Sequence, residues 1–260
     1  MITLTTGQLE TWLGQLFWPF VRIGACFMVA PAFGAVFVPA RLRIVLAAAV
    51  ALLVAPLVSS PAGITAFSVA GFIVTIQQVL IGVALGFALQ ILFDAVSMGG
   101  QLLANSMGLS FAFNVDPMRG TSTPALGQLY ALLVMLTFLA LNGHLAVIEM
   151  LVNGFRTLPI GETGLGNEAL WTLVSWGSQI FVGALAVALP GITALLIVNL
   201  AFGVMSRAAP SLNLFSVGFP ISLVFGLAIV LIGLPGLQSS FMGLLGDAFI
   251  MLRQLLTPGS

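Results

Sequence analysis

The sequence predicts an all-α membrane protein, and three observations carry that prediction. Only 5% of the 260 residues are charged. Soluble domains carry roughly 25%, so these few charges could not cover a water-facing surface. Apolar residues make up 60% of the chain and the mean hydropathy is +1.20. The apolar runs are also long, whereas a membrane β-barrel needs short segments of strict alternation.

Six apolar blocks follow one another. The first, about Trp12 to Val38, is interrupted by Pro19 and Pro31. The second, Ile44 to Val58, is short for a bilayer span of roughly 20 residues. The third, about Phe67 to Phe93, carries Gln77, Gln78 and Gln90. The fourth covers about Leu126 to Val152 and the fifth about Leu173 to Val204. The sixth, about Leu214 to Met251, contains Pro220 and Pro235. Breaks of this kind are tolerated only where neighbouring protein satisfies the freed backbone groups. Tilted, broken helical hairpins packed against other subunits therefore fit the pattern better than six uniform spans. No linker or low-complexity tract divides the chain, so it is expected to form one domain.

Composition also excludes function classes. Net charge is zero and all seven basic residues are Arg, so there is no basic surface for nucleic acid. Cys26, the single cysteine, cannot form an internal disulfide and reads as a small core hydrophobe. His144 has neither a second His nor a nearby Cys to complete a metal site. No phosphate-binding glycine loop is present. Neither a cofactor, a metal nor an enzymatic activity is expected. The N-terminus lacks a basic region and a small-residue cleavage site, so the first block is expected to remain in the mature protein. With the termini outside, Arg41, Arg43, Arg119 and Arg207 fall on the inner side, as the positive-inside rule favours.

Polar residues inside apolar blocks are costly and therefore informative. A charge at the bilayer centre costs roughly 2.5–3.5 kcal/mol on insertion scales. Arg22 must pair with a partner's carboxylate, or snorkel, or cap carbonyls freed by nearby helix breaks. Gln77 and Gln78 are expected to make interhelical hydrogen bonds. Glu149 is either an ion-pathway carboxylate or an end-of-span residue near His144. Arg22, Gln77, Gln78 and Glu149 together form the expected set of buried polar contacts.

The segment Met107, Gly108, Leu109, Ser110, Phe111, Ala112, Phe113, Asn114, Val115, Asp116, Pro117 is too apolar to remain solvated. It lies in a stretch of about thirty residues after Asp94 that is rich in glycine and small residues and reads as a long connection. Alternating Leu109, Phe111, Phe113 and Val115 suggest an extended piece, with Pro117 and Gly120 marking a turn. Two readings stay open: a re-entrant connector packed on the protein's own helices, or a constriction that fills a pore.

Four stretches then combine in order: FWPFVRIGACFMVAP, MGLSFAFNVDP, LALNGHLAVIEMLVNGFRTLPIG and ALPGITALLIVNLAFGVMSRAAPSLNLFSVGFP. Together they resemble the FliR family of flagellar export-gate proteins, whose relatives serve injectisome type III secretion. The likeness spans essentially the whole chain. LALNGH departs conservatively from the family's Phe-Asn-Gly-His pattern.

That resemblance implies a non-enzymatic subunit of a FliP–FliQ–FliR core in the bacterial inner membrane, at the flagellar basal body. A FliP-like part would cover about residues 1–170 and a FliQ-like helical hairpin about 171–260. The family's plug loop would fall on Met107 to Pro117, with Leu109, Phe111 and Phe113 occluding the pore. Its cytoplasm-proximal tip would fall on Arg207, Ala208, Ala209, Pro210, Ser211 and Leu212, where an FlhB-like protein would bind. FliP-like, FliQ-like and FlhA-like proteins, unfolded flagellar substrates and the lipid membrane complete the implied partners. From the polar residues alone, the rival reading is an ion-coupled transporter of a small solute, with Glu149 and Arg22 in a midplane site.

Overall fold

Helices account for most of the residues that the computed structural model describes, which are 6–35, 37–58, 64–65, 68–109, 125–161, 164–208 and 214–256. Among these residues there is no strand. The helices are α1 (Thr6–Val29), α2 (Ala40–Val54), α3 (Val69–Ser106), α4 (Ala125–Ala140), α5 (Gly143–Thr157), α6 (Asn167–Trp176), α7 (Gln179–Ala208) and α8 (Leu214–Leu256). A 3₁₀ turn, Ala55–Leu57, extends α2. Four stretches are long and apolar enough to cross a membrane: Ala40–Leu57, Val69–Ser106, Asn167–Met205 and Gly218–Leu256. The pair α4 and α5 would make a fifth, broken span.

Local chemistry sets several ends. The Ser68 hydroxyl accepts from Gly71 N–H at 3.0 Å and donates to Thr65 O, capping the first turn of α3. Arg43 Nη2 donates to Ala35 O (2.9 Å) and Val38 O (3.0 Å), tying the α1–α2 turn to the start of α2. Asn142 adopts φ 56°, ψ 27°, a left-handed conformation that Asn tolerates, and this breaks the fourth apolar block into α4 and α5.

Three expectations change here. The stretch after Asp94 begins as helix: α3 runs on to Ser106, and Val96, Leu103 and Ala104 are buried. Its small residues serve close approach. A Cβ at Gly100 would lie 2.9 Å from Gly127 Cα, and one at Gly127 would lie 2.8 Å from Ser97 O. The two backbones cross at that glycine pair. The fourth block is two helices. Finally, Pro19, Pro190, Pro220 and Pro235 lie inside helices and do not end them, as membrane helices permit.

Contacts gather in two units. The first holds residues 1–90, 138–177 and 247–260. Trp18, Ile23, Cys26, Phe27, Ile81, Leu85, Leu151 and Leu252 are buried in it. Phe27 stacks on Phe33 at 4.2 Å, and Trp176 Nε1–H donates to Ala88 O at 3.1 Å. Gly82 and Gly86 bring α3 onto α1: a Cβ at Gly82 would collide with Arg22 O, and one at Gly86 would lie 2.8 Å from Cys26 O.

The second unit holds residues 91–137 and 178–246. Val134, Ala184, Leu195, Val230 and Phe241 are buried there, and Phe93 meets Phe241 edge to face at 5.5 Å. Asn199 Oδ1 accepts from the Ser222 hydroxyl at 2.9 Å, joining α7 to α8.

Candidate functional site

The end of α3 is a defined helix stop. Gly108 has φ +80°, the left-handed region where a side chain is strained. Leu109 N–H donates to Ala104 O and Gly108 N–H to Asn105 O, both at 3.0 Å. This is the paired hydrogen-bond pattern that closes a helix on a left-handed glycine. Met107, immediately before it, is 1% exposed and seated against α8: a Cβ at Gly226 would lie 2.5 Å from Met107 Cγ. Phe219, also on α8, brings its ring to within 3.3 Å of where a Gly108 Cβ would stand. The segment therefore departs from a fixed point, with Met107 as a buried anchor and Leu109 half-buried. Ser110, Phe111, Ala112, Phe113, Asn114, Val115, Asp116 and Pro117 lie outside the described residues.

The second constellation surrounds Arg22, fully buried on α1. Its Nε–H donates to Gln78 Oε1 at 2.7 Å, and Nη1–H donates to Gly154 O (3.2 Å) and Leu158 O (3.0 Å). The guanidinium carbon lies 4.3 Å from the centre of the Phe155 ring. Of the three fates open to Arg22, carbonyl capping is the one adopted. The carbonyls belong to the last turn of α5 (Gly154) and to the residue that caps it (Leu158), where a cation also meets the negative end of the helix dipole. Gln78 supplies the acceptor from α3, so Arg22 joins three helices.

The other expected residues are dispersed. Gln77 is partly buried, with Gly164 packed against its side chain. Glu149, expected among the buried contacts, is exposed on α5 and is not one of the acceptors of Arg22. It lines a groove of about 450 Å³ together with Asn153, Thr157 and Arg253. Arg207 is exposed near the end of α7, and Ala208 is helical. Ala209, Pro210, Ser211 and Leu212 lie outside the described residues. Among the described residues, no group of three His, Cys, Asp or Glu side chains could hold a metal ion.

Sequence reasoning missed Gly226 and Phe219 as the seat of the segment's first residues, and Gly154 and Leu158 as acceptors for Arg22. Backbone acceptors leave no signal in the residue types that supply them. Gly226 had one, a glycine within an apolar helix, but such glycines are frequent in this chain.

The arrangement offers anchoring and close helix packing, and comparison with known proteins gives that arrangement a family. The model of the family described as bacterial export proteins, family 1, matches residues 13–248. The chain belongs to that family. It is 38% identical over 258 residues to the flagellar biosynthetic protein FliR of Escherichia coli (strain K12), covering 99% of this chain and 98% of that protein. The FliR of Pectobacterium carotovorum subsp. carotovorum is 40% identical over 258 residues, at the same coverage. That of Buchnera aphidicola subsp. Acyrthosiphon pisum (strain APS) is 32% identical over 259 residues, covering 98% of this chain and 99% of that protein. Family membership and four to five membrane-length helices together make the chain a multi-pass membrane protein of flagellar biosynthesis and export. The family descriptions name export and flagellar assembly, and no reaction.

Proposed function

We propose that this protein is one subunit of a FliP–FliQ–FliR core in the bacterial inner membrane, where it helps form and plug the conduit for unfolded flagellar proteins. The observation that carries the proposal is the FliR likeness across 99% of the chain. Residues of about 1–170 form the FliP-like part and about 171–260 the FliQ-like hairpin. The segment from Met107 to Pro117 seals the pore, with Leu109, Phe111 and Phe113 blocking water and ions. Support for that role comes from the left-handed stop at Gly108 and the buried anchor Met107, which fix where the segment starts. The tip from Arg207 to Leu212 contacts an FlhB-like partner. Energy for export comes from other components, including an FlhA-like protein.

The test has two parts. Tagged protein co-expressed with its neighbouring membrane-protein genes should purify in a discrete complex several times larger than 27.1 kDa. One copy of this chain should be present among multiple partners. Membranes carrying that complex with Gly108 to Val115 deleted should conduct ions where the unaltered complex does not. A lone monomer would overturn the assembly, and tight membranes after the deletion would overturn the plug.

A further inference from the structure

Given the plug proposed above, we infer that Gly226 and Phe219 on α8 are positioning residues that keep the conduit sealed. They do so by seating Met107 and Gly108 at the end of α3. Phe219 and Gly226 stand seven residues apart, two helical turns, and so share one face of α8. Ser222 lies between them on that face. It is buried, and its hydroxyl donates to Asn199 Oδ1 at 2.9 Å, which ties the face to α7.

Gly226 differs from the glycines at helix crossings. A Cβ at Gly82 or Gly100 would meet backbone first. The three atoms nearest to one at Gly226 all belong to the Met107 side chain: Cγ at 2.5 Å, Cε at 2.6 Å and Sδ at 2.8 Å. Methionine therefore lies across this glycine and takes the room that a side chain at 226 would need. Glycine inside a helix is destabilising relative to alanine, and here the space it leaves is filled by Met107.

The seat holds a helix stop and not a mid-helix contact. Met107 N–H donates to Leu103 O at 3.0 Å, and the next residue, Gly108, turns at φ +80°. Phe219 ring carbons lie 3.2 and 3.3 Å from where a Gly108 Cβ would stand, so the ring rests against the turn itself. A left-handed residue at a helix end sets the direction in which the chain leaves. Holding Met107 and Gly108 therefore fixes that direction. Methionine is also flexible, so a small side chain at 226 displaces it without forcing the two backbones apart. Position and stability are separable at this contact.

The test measures ion conductance of membranes carrying the complex that contains the full chain, with the deletion of Gly108 to Val115 as reference. Gly226→Ala places one methyl group where Met107 lies. This variant should assemble with a thermal midpoint close to that of the unaltered complex, yet conduct ions where the unaltered complex is tight. Met107→Ala should leak as well, because it leaves the seat empty. Combining Met107→Ala with Gly226→Leu exchanges a large and a small side chain across the contact. The pair should restore the seal, a rescue that a general loss of stability would not give. Phe219→Ala, at an exposed side chain, removes the ring beside Gly108 and should leak even if position 226 accepts no side chain. Tight membranes after the deletion would overturn the plug and the seat together. Leakage after the deletion, with assembled Gly226→Ala and Phe219→Ala complexes both tight, would overturn the seat alone. So would a double variant that leaks as much as either single one.

Discussion

Arg22 is a cation held in an apolar interior by geometry alone. Burying an isolated charge costs many kcal/mol, and hydrogen bonds to Gln78, Gly154 and Leu158 with the Phe155 ring above offset that cost. Arg22→Ala removes all four contacts and takes the donor from Leu158 O, while Gly154 O keeps the Leu158 N–H. It should lower stability by about 3 kcal/mol or more, read as a lower thermal midpoint and reduced abundance in membranes. Arg22→Lys should recover less than half of the loss, because one ammonium cannot reach Gln78 Oε1 and both carbonyls as the planar fork does. Full rescue by Lys would mean that charge alone matters at this position. Gly108 illustrates the opposite constraint, in which absence of a side chain is required. Gly108→Val places a branched residue at φ +80° beside the Phe219 ring. The strain of about 1–2 kcal/mol should appear as faster hydrogen exchange at Gly108 and Leu109, with a small change in the global thermal midpoint. Gly108→Asn should be milder, since Asn enters the left-handed region more readily.

Helix packing depends on where two backbones can touch. Gly82→Leu drives a side chain into the backbone of Arg22, whereas Gly24 on the facing helix has open space around it. Overpacking of this kind costs about 1–3 kcal/mol. Gly82→Leu should therefore lower the yield of folded protein, and Gly24→Ala should leave it unchanged. If the two variants behaved alike, the approach of α1 to α3 would be wrong. The same logic explains which elements were legible in the sequence. The apolar blocks were read from composition, and the stop after Ser106 could be read from Met-Gly-Leu. The helical course of residues 95–106 could not, because glycines at a helix crossing and glycines in a loop look alike without knowledge of the partner. For Gly100 that partner is Gly127, far along the chain. The break inside the fourth block did carry a local signal, Asn-Gly at 142–143, but the apolar run around it hid the turn. The prolines misled in the other direction. Each removes one hydrogen bond, and a long apolar helix in a membrane can absorb that loss.

At the scale of the whole molecule, the decisive feature is unpartnered apolar surface. Leu53 on α2, Ile197 on α7 and Ile232 on α8 are each at least two-thirds exposed, and many other large apolar side chains share that state. Surface of this kind is covered by lipid or by other subunits, which suits a component of an assembly. The rival, a solute transporter acting alone, would need polar groups converging on a shared cavity. Arg22 instead donates to helix-end carbonyls and Gln78, and Glu149 stands exposed on a different groove. Glu149→Gln separates the two readings because it removes a charge and keeps the shape. In a carrier that moves a proton or ion through this carboxylate, the change would abolish uptake. In an export-gate subunit the residue lies outside the plug segment, and swarming on soft agar should stay close to that of the unaltered strain. Loss of swarming with normal abundance of the assembled complex would make Glu149 part of the working mechanism. It would also return the groove it shares with Asn153, Thr157 and Arg253 to the centre of the functional question.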